Sequence, residues 1–300
     1  MKTIITLTLA TFISSLSWAS GPDKSGDKVA EPAFIGYDAA KGSWEQPNPV
    51  FRWPLPAVKG EVYVNVQFVW LGESLVQESA LNETRAYLND VYNAHGIYIS
   101  YNPLETEKEM NKDQLIQDWK EMLPAKKGQL TVYVLPFEGT ELERRDLYST
   151  NQIVSNRALV PFQDEQEFKV FVAKNLGHML GLLPTYFENP VYGVNSEDGD
   201  NCGNAGDFVC DTPFDYLGLR NDVKKRSCRY KGKVGDPDAG NIMANSWTEC
   251  MDHITPEQAN KIKYNLSVIP ALQSTLDTKS TIALNIDALS FKSQDKASLE

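Results

Sequence analysis

The chain of 300 residues carries 29 basic and 40 acidic side chains, a formal net charge of −11, on a composition that is 42% hydrophobic and 23% charged. Such a chain can bury a substantial core, as one large domain with extensions or as two modest ones. Its acidic balance argues against a nucleic-acid backbone or an anionic membrane surface as main partner, because neither attracts a negative protein.

Met1 and Lys2 are followed by the mostly apolar TIITLTLATFISSLSW and then Ser17-Trp18-Ala19, a basic start, an apolar middle and a small-x-small site. This pattern reads as a secretory signal over residues 1–19, which places the mature protein outside the cell or in a periplasm. The apolar run is shorter than the roughly 20 residues a spanning helix needs, so no membrane span is expected. Residues 20–58 are rich in Gly, Pro and charge without helical or strand period and read as an extended leader.

Regular patterning starts at EVYVNVQFVWL (61–71), where Val62, Val64, Val66, Phe68 and Trp70 alternate with Tyr63, Asn65, Gln67 and Val69 as in a half-buried strand. Leu81, Leu88, Val91 and Tyr92 then recur at helical spacing between Ser74 and Asn93, and NAHG supplies a stop at Gly96. A strand at IYISY (97–101), a charged helix at about 112–122, a strand at QLTVYVLPF (129–137) and a short edge strand at LVPF (159–162) follow. The next helix runs from Asp164 to Leu183 on the stripe Phe168, Phe171, Val172, Leu176, Met179, Leu180 and Leu183. Alternating strands and helices imply a sheet with helices packed on it.

From Pro184 to Met243 the chain is dense in Gly, Asn, Asp and Pro and lacks periodicity, so a loop of that length needs staples. Cys202, Cys210, Cys228 and Cys250 supply them: an even number in an exported chain, with no Cys-x-x-Cys pair, favours two disulfides over a zinc site. Spacing leaves all three connectivities open. A last helix begins at TPEQ (255–258), with Thr255 as cap, Pro256 in the first turn and Gln258 completing a capping box. The tail after about Ser274 is polar and expected to be peripheral.

Three segments carry a resemblance. VAKNLGHMLGLLPTYF (172–187) fits an HExxHxxGxxH frame through His178 and Gly181; CGNAGDFVCDTP (202–213) has a Gly-Asp and an Asp-Thr-Pro; NIMANSWTECMDHITPEQ (241–258) has a methionine turn, a cysteine and a Thr-Pro helix start. In that order the chain resembles the pappalysin and cytophagalysin family of metzincin zinc proteases over roughly residues 60 to 270. The resemblance implies an α+β fold over residues 59–272, with a C-terminal tail at 273–300. A twisted mixed sheet and two long helices would form an upper subdomain above an irregular, disulfide-tied lower one. It also implies that Cys202 pairs with Cys228 and Cys210 with Cys250, and that Met243 is the Met-turn residue beneath the site.

The chemistry of the family does not carry over. Two histidines one turn apart and a third beyond the glycine would hold zinc, and a glutamate would activate its water. Here those places hold Lys174, His178, Pro184 and, for the base, Asn175. An ammonium must lose its proton before it can ligate, an amide has no useful basicity, and proline has no ligand. Zinc is therefore not expected, and no residue is assigned a catalytic role. His178 is either a residual ligand or, the favoured reading, a hydrogen-bonded histidine in a former cleft. His95 and His253 read as structural or surface histidines.

Glu197, Asp198, Asp200 and Asp207 offer the oxygen donors calcium takes, but without EF-hand spacing, so turn formation is the preferred reading of that stretch. Asn82-Glu83-Thr84 and Asn265-Leu266-Ser267 are glycosylation sequons. The resulting expectation is a secreted pseudoprotease whose cleft and loops bind a protein or peptide without cutting it. Its rivals are an active zinc endopeptidase with an unorthodox metal site and a structural or adhesive exported protein.

Overall fold

In this computed structural model the described residues are 37–38, 43–44, 55–72, 77–107, 119, 122–136, 154–187, 202–203, 205–216, 219–232 and 235–284, the first two pairs by backbone alone. The signal at 1–19, most of the leader, residues 285–300 and the helix at 112–122, apart from the helical residues Trp119 and Met122, lie outside them.

Strands β1 (Tyr37–Asp38) and β2 (Ser43–Trp44) pair with each other inside the leader. The leader then reaches β3 (Val58–Lys59) and the long β4 (Val62–Leu71). In β4 the expected alternation holds only at the start: Val62, Val64 and Val66 are buried against half-exposed Tyr63 and Asn65, whereas every residue from Val66 to Leu71 is buried. The reason is its neighbours. The first half pairs with β5 (Ile97–Tyr101), and the second half lies between β6 (Glu105–Glu107) and β7 (Leu130–Pro136), beyond which β8 (Arg157–Phe162) forms the edge. A strand covered on both faces buries both sets of side chains.

Each pairing among β4 to β8 is parallel, which corrects the expectation of a mixed sheet. Parallel neighbours need long crossovers, and helix α1 (Gln77–Asn93) between β4 and β5 is one such connection. The opposite direction enters from the C-terminal segment. Leu276 bridges antiparallel to Val64, the Asn65 amide donates to Thr275 O and the Asp277 amide to Tyr63 O, and β11 (Ala283–Leu284) pairs antiparallel with β3. The segment expected to be a peripheral tail is thus sewn along the first half of β4.

Helix α1 and helix α2 (Glu165–Met179) cover one face of the sheet, and the Tyr92 hydroxyl on α1 donates to the Ala173 carbonyl on α2 at 2.8 Å. Trp70, Phe162 and Phe168 form an aromatic cluster between sheet and α2, with centroids 5.1 Å apart for both Trp70–Phe162 and Phe162–Phe168. On the other face Val69, Leu71, Tyr133, Leu135 and Leu159 pack with Trp119 and Leu123.

The lower part contains α3 (Leu219–Asp222), the short pair β9 (Val223–Lys224) and β10 (Arg229–Tyr230), α4 (Pro256–Val268) and α5 (Pro270–Gln273). Helix α4 starts as the sequence indicates. Thr255 caps it, Gln258 closes the capping box and Pro256 occupies the first turn. The disulfides differ from the implied pairing: Cys202 bonds Cys210 and Cys228 bonds Cys250, at Cα separations of 5.1 and 5.3 Å. Both separations lie in the span a disulfide bridges. Each bond closes a local loop, one ahead of α3 and one running from the β9–β10 turn to the start of the α4 segment.

Candidate functional site

The site is built from the end of α2 and the chain that folds back beneath it. Asp164 caps the helix by accepting from the Glu167 amide at 2.9 Å, and the helix ends at Met179, four residues before the expected Leu183. Gly181, at φ +91°, is the cause. The Leu182 amide donates to Gly177 O at 2.8 Å and the Gly181 amide to His178 O at 2.9 Å, the paired bonds of a Schellman stop that needs a left-handed residue.

That stop also aims His178. Its Nδ1 lies 2.9 Å from the Leu182 carbonyl, so a neutral ring donates from Nδ1 and keeps its lone pair on Nε2. Metal-ligating histidines are held in the same manner. Burial and then the nearby Lys174 push the imidazole down to about 4, so it is neutral across the physiological range.

Lys174, one turn earlier, reaches away from the helix. Its Nζ donates to Ala244 O at 2.8 Å and sits 5.6 Å from the centroid of the Tyr186 ring. Burial pushes it down to about 8, against the opposing pull of Asp215. Asp215 is itself only 2% exposed, and burial pushes its carboxyl up to about 6 although Thr185 donates to Oδ2 at 2.5 Å. Its Oδ1 makes no hydrogen bond of good geometry. The Thr185 amide also donates to Met243 O at 3.2 Å, so one threonine joins the end of the helix segment, the methionine turn and Asp215.

Asn175 is buried and its amide donates to Phe171 O of its own helix at 2.8 Å, so the residue at the base position is spent on the preceding turn. Pro184 is buried and its carbonyl accepts from Phe187. Met243 is fully buried, and a Cβ on Gly177 would lie 2.7 Å from its sulfur, so glycine at 177 permits the close approach of helix and turn. Met243 therefore lies against the turn that carries His178.

The other histidines stand elsewhere. The His253 ring is shared by two carboxylates, with Nδ1 2.6 Å from Asp252 and Nε2 2.8 Å from Asp238. His95 is tied to the backbone of Ile254, and burial lowers its affinity for a proton. Among the described residues no group of three or more His, Cys, Asp or Glu side chains is placed to share a metal ion. One imidazole beside an ammonium does not fit the donor set of a zinc centre. Of the four acidic residues with calcium-type oxygens, Glu197, Asp198 and Asp200 lie outside the described residues. Asp207 accepts from the Thr212 hydroxyl at 3.0 Å and the Val209 amide at 3.2 Å, while its carbonyl accepts from Lys261. A cavity of about 360 Å³ lined by Cys228, Tyr230 and residues 236–240 includes neither His178 nor Lys174. Of the two sequons, Asn82 is exposed, whereas Asn265 is fully buried and donates to Leu180 O.

Sequence reasoning missed Asp215, Thr185, Tyr186 and Gly177. Asp215 and Thr185 sit in aperiodic chain where nothing marks them. The signal that could have found them is Lys174 itself, since a charge on a buried helix face demands a partner.

No family model matches the sequence, and no curated protein matches it. Three solved structures are similar in part. Mirolysin in complex with compound 9 aligns with a TM-score of 0.46 at 11% identity, over 72% of this chain and 96% of that one. Metalloproteinase-II from Bacteroides fragilis aligns at 0.27 and 12%, over 49% and 54%, and myroilysin at 0.30 and 13%, over 73% and 96%. Likeness of that degree carries no argument about fold or activity, which rest on the residues themselves.

Proposed function

We propose that this chain is an exported, metalloprotease-like pseudoprotease, a domain over residues 59–272 that binds a protein or peptide without hydrolysing it. One observation carries the reading. In the helix that resembles a zinc helix, the three positions needed beside His178 hold groups committed to other bonds: Lys174 to Ala244, Asn175 to Phe171, and Pro184 to the chain's turn. Loss of two ligands and the base together removes water activation as well as metal binding. Retention of the His178–Leu182 bond and of Met243 beneath Gly177 supports descent of the scaffold from a metal site. Two disulfides, and the absence among the described residues of a helix long and apolar enough to cross a membrane, accord with an exported protein.

The test is zinc content of the purified protein together with cleavage of an unstructured protein, with and without chelator. The reading expects far less than one zinc per chain and no chelator-sensitive cleavage. One zinc per chain, with cleavage abolished by His178→Ala, would instead make this an active endopeptidase. Retention on an immobilised peptide library supports the binding role, and failure to retain any peptide replaces it with a structural one.

A further inference from the structure

Asp215 poses a problem that the loss of a metal site does not by itself solve. It is 2% exposed, its Oδ2 accepts from Thr185, and its Oδ1 is a buried acceptor with no hydrogen bond of good geometry. A buried carboxylate of that kind needs a cation near it. The cation whose field reaches it is Lys174 on α2, which makes no direct ion pair with it, and the backbone amides of Tyr216 and Asn245 also hydrogen-bond the carboxylate.

The ammonium itself is bound on two sides. Ala244 O accepts from it at 2.8 Å, immediately after Met243, and the face of Tyr186 lies 5.6 Å away, within the range over which a ring attracts a cation. Carbonyl oxygen, carboxylate and aromatic face come from three separate stretches of chain, at 244, 215 and 186. We propose that the Lys174 ammonium is the resident cation of this site, a tethered charge that takes the place of a bound metal, joins helix α2 to the methionine turn and serves the buried Asp215 as counter-charge without touching it. The inference rests on the pseudoprotease reading only in requiring a site without metal.

Its consequence is that the seat has the chemistry of a primary ammonium site: one carbonyl acceptor and one aromatic face, with a buried carboxylate beyond them. With the side chain cut back by Lys174→Ala, that seat becomes open to a small alkylammonium ion. The experiment compares thermal unfolding of the wild type, Lys174→Met, Lys174→Ala and Lys174→Met/Asp215→Asn. Lys174→Met keeps the length of the side chain and removes its charge, and is expected to lower Tm by roughly 5–10 °C, because it leaves a buried carboxylate uncompensated. Adding Asp215→Asn to it is expected to recover part of that loss.

Ethylammonium chloride is expected to raise the Tm of Lys174→Ala and leave the wild type unmoved, with sodium and tetramethylammonium chloride at equal ionic strength ineffective. If Lys174→Ala does not fold, the Lys174→Met comparison with and without Asp215→Asn decides alone. A Lys174→Met protein as stable as the wild type overturns the proposal, as does equal stabilisation by all three salts. None of these outcomes bears on zinc content or cleavage, so the proposal and the pseudoprotease reading fail separately.

Discussion

The sheet with its two long helices and the loop region from 202 to 255 are stabilised in different ways. In the first, buried side chains are nearly all apolar, and Trp70, Phe68, Tyr92 and Phe168 belong to one continuous core. In the second, buried groups include Asp207, Thr212, Asp215 and Asn241, each held by specific hydrogen bonds, and two disulfides close the loops. Apolar packing spreads the loss of one contact over many neighbours, whereas a buried polar group without its partner bears the whole cost of desolvation. The upper part should therefore fail globally and the lower part locally.

The largest effect tests the upper part. Trp70→Ala removes the largest ring of the aromatic cluster and is expected to cost about 3–5 kcal/mol, measured by urea unfolding with one transition for all probes. If the loop region keeps its hydrogen-exchange protection in that variant, the two regions are independent and the comparison fails.

The next effects test the lower part. Cys228 and Cys250 are 22 residues apart and Cys202 and Cys210 are 8 apart, so loop-closure entropy ranks the first bond above the second. Paired replacement by alanine is expected to cost about 3.4 kcal/mol for Cys228–Cys250 and about 2.5 kcal/mol for Cys202–Cys210. The chelator-free protein provides both measurements by urea unfolding, with reversed order as the result that breaks the ranking.

Gly177 lies where the two regions meet. Gly177→Ala drives a Cβ to 2.7 Å from the Met243 sulfur, and overpacking of that kind costs about 1–3 kcal/mol. In a double-mutant cycle Met243→Ala makes room for the new methyl, so the double variant is expected to lose less than the sum of the singles. Strict additivity would show that helix and turn do not press on each other.

How much of this was legible follows the same division. Strands β4, β5, β7 and β8, helices α1 and α2 and the capping box of α4 were readable, because apolar periodicity and caps are local signals. The end of α2 was misplaced because Leu182 and Leu183 continue the apolar stripe past the residue, Gly181, whose backbone stops the helix. Disulfide pairing and the pairing of the tail with β4 are contacts between distant residues that spacing does not encode, and resemblance supplied the wrong connectivity. At the site, His178, Lys174, Asn175 and Pro184 were visible as departures from a motif. Asp215 and Thr185 were not, since their role arises only when the loop folds under the helix.

The smallest effect concerns the junction of the lower loops with α4. His253 lies between Asp238 and Asp252, and its backbone accepts from the Ile242 amide and donates to Gly240 O, so it is bridged to the stretch that leads into Met243. The hydrogen bond to Asp238 leads the causes that push the imidazole up to about 9, with burial opposing it and the bond to Asp252 adding to it. Burial alone would raise Asp238, but the bond from His253 and the amides of Gly240 and Asn241 hold it below the usual range. A base whose folded affinity is raised contributes stability that is whole below its ordinary value near 6.5 and lost as pH climbs to about 9.

Other groups act outside part of that window. His178 and Asp215 change stability below about 6.5, and Lys174 and Lys261, both pushed down to about 8, add stability with opposite sign only above that pH. Between pH 6.5 and 8, then, wild-type stability is expected to fall gently and that of His253→Asn to stay flat, a modest change because the ring is 45% exposed and screened by solvent. The local readout is the protection factor of the Ile242 amide, corrected for the intrinsic rise of exchange with pH, which should fall over the same interval in the wild type alone. A wild-type curve as flat as that of the variant would mean that the two carboxylates hold the neutral ring as firmly as the charged one.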